Sequence, residues 1–89
     1  MKIDFSKKIV IVTGGTRGIG AAIVELFQEY NAEIIATGTN VKEIESLNRA
    51  SKGKRTKYIH LDFISNESVK RFLGYLDKLD KIDVLINNA

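Results

Sequence analysis

Between Lys8 and Gly20 the chain reads KIVIVTGGTRGIG, a β-branched run followed at once by four glycines at positions 14, 15, 18 and 20. An unbroken apolar run of this length predicts a parallel strand covered on both faces, here Lys8 to Thr13. Beyond the glycines, Ile19, Ala22, Ile23, Leu26, Phe27 and Tyr30 recur at three- and four-residue spacings, which predicts one buried face of a helix. The first amides of such a helix have no partner within it, and the helix dipole adds partial positive charge there. A phosphate or pyrophosphate suits that position. Gly14 lets the chain turn sharply, Gly18 lets an anion approach the backbone, and Gly20 lets helix and strand pack closely. The competing reading is a plain tight turn. Gly-x-x-x-Gly-x-Gly set between such a strand and such a helix favours a nucleotide site.

The rest of the chain repeats the alternation. Glu33 to Thr37 reads as a second strand, and Asn40 with Glu43 three residues later signals the start of a helix burying Ile44 and Leu47. Thr56 to Phe63 reads as a third strand. Ser65 caps a helix with the apolar stripe Val69, Phe72, Leu73, Leu76 and Leu79, and Asp83 to Asn87 is a fourth strand. The order β-α-β-α-β-α-β implies an α/β fold with a parallel sheet and right-handed crossovers. The whole chain, 1–89, is taken as one domain; its 89 residues fall below the usual domain size of about 100–150.

Composition narrows the chemistry. With no cysteine and a single histidine, disulfides, thiolate nucleophiles and thiolate or histidine-rich metal sites are excluded, so no metal ligands are assigned. The N-terminal apolar run is short and preceded by Asp4, which is neither a signal peptide nor a membrane span; no membrane role and a cytoplasmic location are expected. The net charge is +3, and the densest basic stretch, SKGKRTK at Ser51 to Lys57, reads as a solvated loop rather than a nucleic-acid surface.

TGGTRGIG at the first turn, LD ending the third strand and INNA ending the fourth together resemble the short-chain dehydrogenase/reductase family, in particular its 3-oxoacyl-acyl-carrier-protein reductase type. The likeness spans all 89 residues. It implies the N-terminal half of a doubly wound Rossmann-type fold with strand order 3-2-1-4. The implied chemistry is hydride transfer between a nicotinamide cofactor and an alcohol or carbonyl. By the same resemblance Gly14, Gly15, Thr16, Arg17, Gly18, Ile19 and Gly20 would cradle the cofactor phosphates, Ile19 through its backbone. Asp62 would accept a hydrogen bond from the adenine amino group, with the backbone of Phe63 beside it, and Asn88 and Ala89 would line the adenosine ribose. Asp62 as a local cap, and Asn87 and Asn88 as partners for backbone at a strand end, are the alternatives.

An acidic residue at the end of the second strand would bind the ribose 2′-hydroxyl and repel a 2′-phosphate. That position is Gly38. Arg17 supplies a cation where phosphate-preferring family members carry one, and Thr39 supplies a hydroxyl and an amide, so NADP is favoured over NAD. A merely solvated Arg17 is the alternative.

The family's catalytic pair is a tyrosine with a lysine four residues on. Here Ile34, Asp62 and Leu79 follow Tyr30, Tyr58 and Tyr75 at that spacing, so no catalytic residue is assigned and the chain alone is expected to be inactive. The expected reading is the N-terminal part of an NADP-dependent oxidoreductase. A freestanding dinucleotide-binding module and a piece completed by a separate catalytic half are the alternatives. An S-adenosylmethionine methyltransferase is more distant, since Thr13 stands where such enzymes carry an acid. The fourth strand would form an apolar edge and the third helix would cover its face incompletely, which implies self-association or a missing C-terminal half.

Overall fold

The computed structural model describes residues 3–88. Seven elements follow in order: β1 (Ile9–Thr13), α1 (Gly18–Glu29), β2 (Glu33–Gly38), α2 (Val41–Ala50), β3 (Thr56–His60), α3 (Asn66–Asp77) and β4 (Val84–Asn87). The four strands form one parallel sheet in the order β3-β2-β1-β4. β1 lies inside, with Ile11 level with Ile35 on β2 and with Leu85 on β4. Its apolar run is continuous because both faces are covered: Val10 and Val12 pack on the α1 side, Ile11 on the α3 side. Burying a side chain of this size stabilises the fold by about 1.5–3 kcal/mol.

The two faces are unequal. One core unites Val10, Val12, Val24, Ala32, Ile34 and Ala36, with Phe27 and Phe5 closing it edge to face at 5.2 Å. The other has only Ile11, Ile35, Leu61 and Phe72 fully buried, with Val69, Leu76 and Leu79 against them. β4 is an edge of the described sheet, and Leu85 on it is 64% exposed. With Leu73, Phe63 and Ile82 it borders an apolar groove between α3 and β4. The uneven cover anticipated for this side of the sheet is therefore present. No helix among the described residues is long and apolar enough to cross a membrane.

Several boundaries and faces differ from expectation. β3 ends at His60 rather than Phe63, because the Asp62 carboxylate accepts the Ile64 amide at 3.0 Å and turns the chain away. Phe63 is thus exposed. β2 runs one residue further, to Gly38, while β1 and β4 each begin one residue later. On α1, Ile19 is 74% and Leu26 48% exposed, whereas Val24, absent from the expected stripe, is buried. Val24 seats beside Gly15, where a Cβ would lie 3.1 Å from its Cγ2, and Ile23, Val24 and Phe27 turn toward the sheet with it. Leu73 likewise leaves the expected α3 stripe and lies 54% exposed on the groove.

Candidate functional site

Every expected site residue among the described ones lies at the same edge of the sheet, where the strands end. The glycine loop follows β1, Gly38 and Thr39 close β2, Asp62 and Phe63 follow β3, and Asn88 follows β4. Ala89 lies outside the described residues. Because β2 and β4 flank β1 on opposite sides, the chain reverses its direction of winding at β1, and ligands of open parallel sheets occupy the crevice at such a point.

The loop is built by residues far apart in sequence. Gly14 and Gly18 have φ of 64° and 55°, a left-handed backbone that side chains rarely adopt. A Cβ on Gly18 would meet nothing within 4 Å, so the loop surface on that side is open and only the positive φ disfavours a side chain there. A Cβ on Gly20 would overlap the Gly14 carbonyl oxygen and lie 2.6 Å from the Asn88 amide nitrogen. Gly20 therefore fits the helix to the loop, while contact with the sheet falls to Gly15, where a Cβ would lie 2.8 Å from that of Ala36.

Two threonines outside the glycine motif brace the loop and its junction with β4. The Gly14 amide donates to the Thr37 hydroxyl at 3.2 Å, and the Gly15 amide to the Thr37 carbonyl at 2.9 Å. The Thr13 hydroxyl donates to the Asn87 side-chain oxygen at 3.1 Å and accepts the Asn88 amide at 3.0 Å. The signal for these threonines was a hydroxyl residue near the end of each of two adjacent apolar strands. The Asn88 side chain donates to the Gly14 carbonyl at 3.1 Å. Asn88 thus partners backbone at the strand end and fastens β4 to the loop, whereas the Asn87 side chain meets the Thr13 hydroxyl.

Asp62 also has local work. Besides the bond from Ile64, its own amide donates to the Ser68 hydroxyl at 2.8 Å, which anchors the turn to α3. Arg17 is not simply solvated: its Nε lies 3.1 Å from the Glu43 carboxylate in the first turn of α2, with the arginine side chain still 71% exposed. Thr39 is exposed at the β2 end, and its carbonyl lies 3.1 Å from His60 Nε2.

The start of α1 matches an anion chemically. Arg17 occupies its N-cap position with extended backbone, no side chain hydrogen-bonds to the cap, and the first turn holds no acidic residue. The surface beside Gly18 is open, no side chain caps the helix, and the Arg17 guanidinium held by Glu43 remains largely exposed, an arrangement that can meet an anion.

Residues 8–89 match the family model for short chain dehydrogenase. The chain is 43% identical over 94 residues to 3-oxoacyl-[acyl-carrier-protein] reductase FabG of Chlamydia pneumoniae, covering all of this chain and 37% of that protein. It is 36% identical over 93 residues to the FabG of Aquifex aeolicus, covering all of this chain and 38% of that one. Among solved structures, the RhlG/NADP active-site complex of Pseudomonas aeruginosa superposes with a TM-score of 0.82 at 27% identity, over 99% of this chain and 35% of that chain. The chain thus spans little more than a third of the length of these relatives.

Proposed function

The chain belongs to the short chain dehydrogenase family, and from that premise we propose that it is the NADP-binding part of an oxidoreductase acting between NADP(H) and an alcohol or carbonyl substrate. The observation that carries the reading is the start of α1, which has no side-chain cap and no acid in its own first turn beside an open Gly18, with Glu43 of α2 steadying the cap residue Arg17. When bound there, the nicotinamide cofactor supplies or accepts the hydride.

Residues of this chain bind and orient. Amides from Gly18 to Gly20 face the phosphates, and Thr37, Asn88 and Gly14 keep the loop in shape. Asp62, its backbone already tied to Ser68, would meet the adenine amino group beside Phe63, and Asn88 would border the adenosine ribose. Arg17 and Thr39 would hold a 2′-phosphate, with no carboxylate at Gly38 to oppose it. The similarity to an NADP complex supports the same choice of cofactor. The exposed apolar groove between α3 and β4 supports a surface covered by further polypeptide, whether a second copy or the part of the fold that supplies the catalytic tyrosine and lysine.

Calorimetric titration with NADP and NAD tests the reading. Arg17→Ala is expected to weaken NADP several-fold more than NAD, since only the former loses a charge-assisted contact. Equal losses for both cofactors would remove the case for NADP, and no binding of either would remove the site.

A further inference from the structure

Gly38 is where a dinucleotide-binding strand would present a carboxylate to the ribose 2′-hydroxyl. A Cβ built on Gly38 would lie 2.5 Å from Thr16 Cγ2 and 2.9 Å from Thr16 Oγ1. The next neighbour is the tip of Ile44, Cδ1, at 3.3 Å. Gly38 does not have the positive φ of Gly14 and Gly18, so the backbone itself would accept another residue. The bar to a side chain here is therefore steric, and it comes from one residue of the glycine loop. Ile44 at its distance gives way by a few tenths of an ångström at the end of a flexible chain, whereas Thr16 would have to leave its place.

We infer that Thr16 and Gly38 act as one steric unit that sets cofactor choice: the Thr16 side chain fills the space an acidic residue at position 38 would need. The inference rests on the dinucleotide reading above and deepens it. It makes a substitution at 38 dependent on residue 16, and the two changes are non-additive because the side chains compete for one volume. Once position 16 is reduced to alanine, the two closest obstacles to a Cβ at 38 are gone and the next named neighbour is Ile44 Cδ1 at 3.3 Å, so an aspartate can be accommodated there. Its charge then repels a 2′-phosphate and accepts the 2′-hydroxyl of NAD.

The test is two double-mutant cycles on the full chain, one read by thermal melting and one by calorimetry with NADP and NAD. In the first, Gly38→Ala should lower the melting temperature, and adding Thr16→Ala should restore most of the loss. In the second, Gly38→Asp alone should weaken both cofactors. Thr16→Ala with Gly38→Asp should shift the ratio of NAD to NADP affinity by roughly tenfold or more toward NAD. An unchanged melting temperature for Gly38→Ala, or no rescue by Thr16→Ala, would overturn the steric unit. So would Gly38→Asp alone acquiring the NAD preference. Rescue in melting with an unchanged cofactor ratio in the double variant would overturn its role in specificity. If the unsubstituted chain bound neither dinucleotide, the nucleotide reading would fail and the specificity role with it, while the melting cycle would still report on the packing.

Discussion

Three helices begin beyond the carboxyl ends of the strands, yet they begin differently. α2 is capped by Asn40, whose side chain accepts the Glu43 amide at 2.9 Å, and α3 by Ser65, which accepts the Ser68 amide at 3.3 Å. Each has an acid in its first turn, Glu43 and Glu67, which complements the positive end of the helix dipole. α1 has neither device: Arg17 stands at its cap, two glycines follow within the first turn, and no acid is present there. Capping is worth roughly 1 kcal/mol, and glycine within a helix costs about as much again relative to alanine. The molecule thus gives α2 and α3 side-chain caps and leaves the start of α1, beside the glycine loop, without one.

The largest expected effect comes from closing the open end. Gly18→Val places a branched side chain on a φ of 55° and fills the open loop surface on that side. NADP affinity should fall on the order of a hundredfold, while the backbone strain should lower stability by about 1–2 kcal/mol. Calorimetry and chemical denaturation read the two separately, and retention of affinity would erase the distinction between α1 and the other helices.

A second change tests what shapes the α1 loop from below. Thr37→Val keeps the volume of a buried residue but leaves the Gly14 amide without its side-chain partner. Denaturant melts should show a loss of about 1–3 kcal/mol, accompanied by weaker cofactor binding. Ser65→Ala is the counterpart at a capped end. It should lower stability by about 1 kcal/mol and leave cofactor affinity unaltered. If Ser65→Ala also impaired binding, the two kinds of helix start would not be functionally separate.

The smallest effect lies at the opposite edge of the sheet. The Asp83 carboxylate accepts the Ile9 amide at 2.8 Å and pairs with Lys81 at 3.1 Å. The bond from Ile9, more than the lysine, holds its pKa below the ordinary 3.8. A carboxyl lowered in the folded state contributes stability above its unfolded pKa and loses it as pH falls through the folded value. Melting temperatures should therefore drop below about pH 4, and Asp83→Asn should show a shallower acid limb with binding at neutral pH unaffected. An acid limb identical in both proteins would place that dependence elsewhere.

The order of strands and helices, the two side-chain caps and the glycine loop were legible in the chain because each depends on neighbours a few residues apart. Periodicity placed β1 and α3 to within a few residues, and spacing alone marked Gly14, Gly18 and Gly20. The rotation of α1 was not legible: the sequence offers a stripe through Ile19 and Leu26 that is as apolar as the one through Ile23 and Val24. Only the tertiary packing, with Val24 seated beside Gly15 and Ile23 and Phe27 on the same core, chooses between them. Nor could spacing show that Asn88 bonds Gly14, that Arg17 meets Glu43, or that Thr16 occupies the volume over Gly38. These contacts join residues 22 to 74 positions apart, and the parallel crossovers bring them to one edge only after the sheet has formed. Local pattern determined which elements exist and where an anion has reason to bind; steric fit between distant segments decided which side chains surround it.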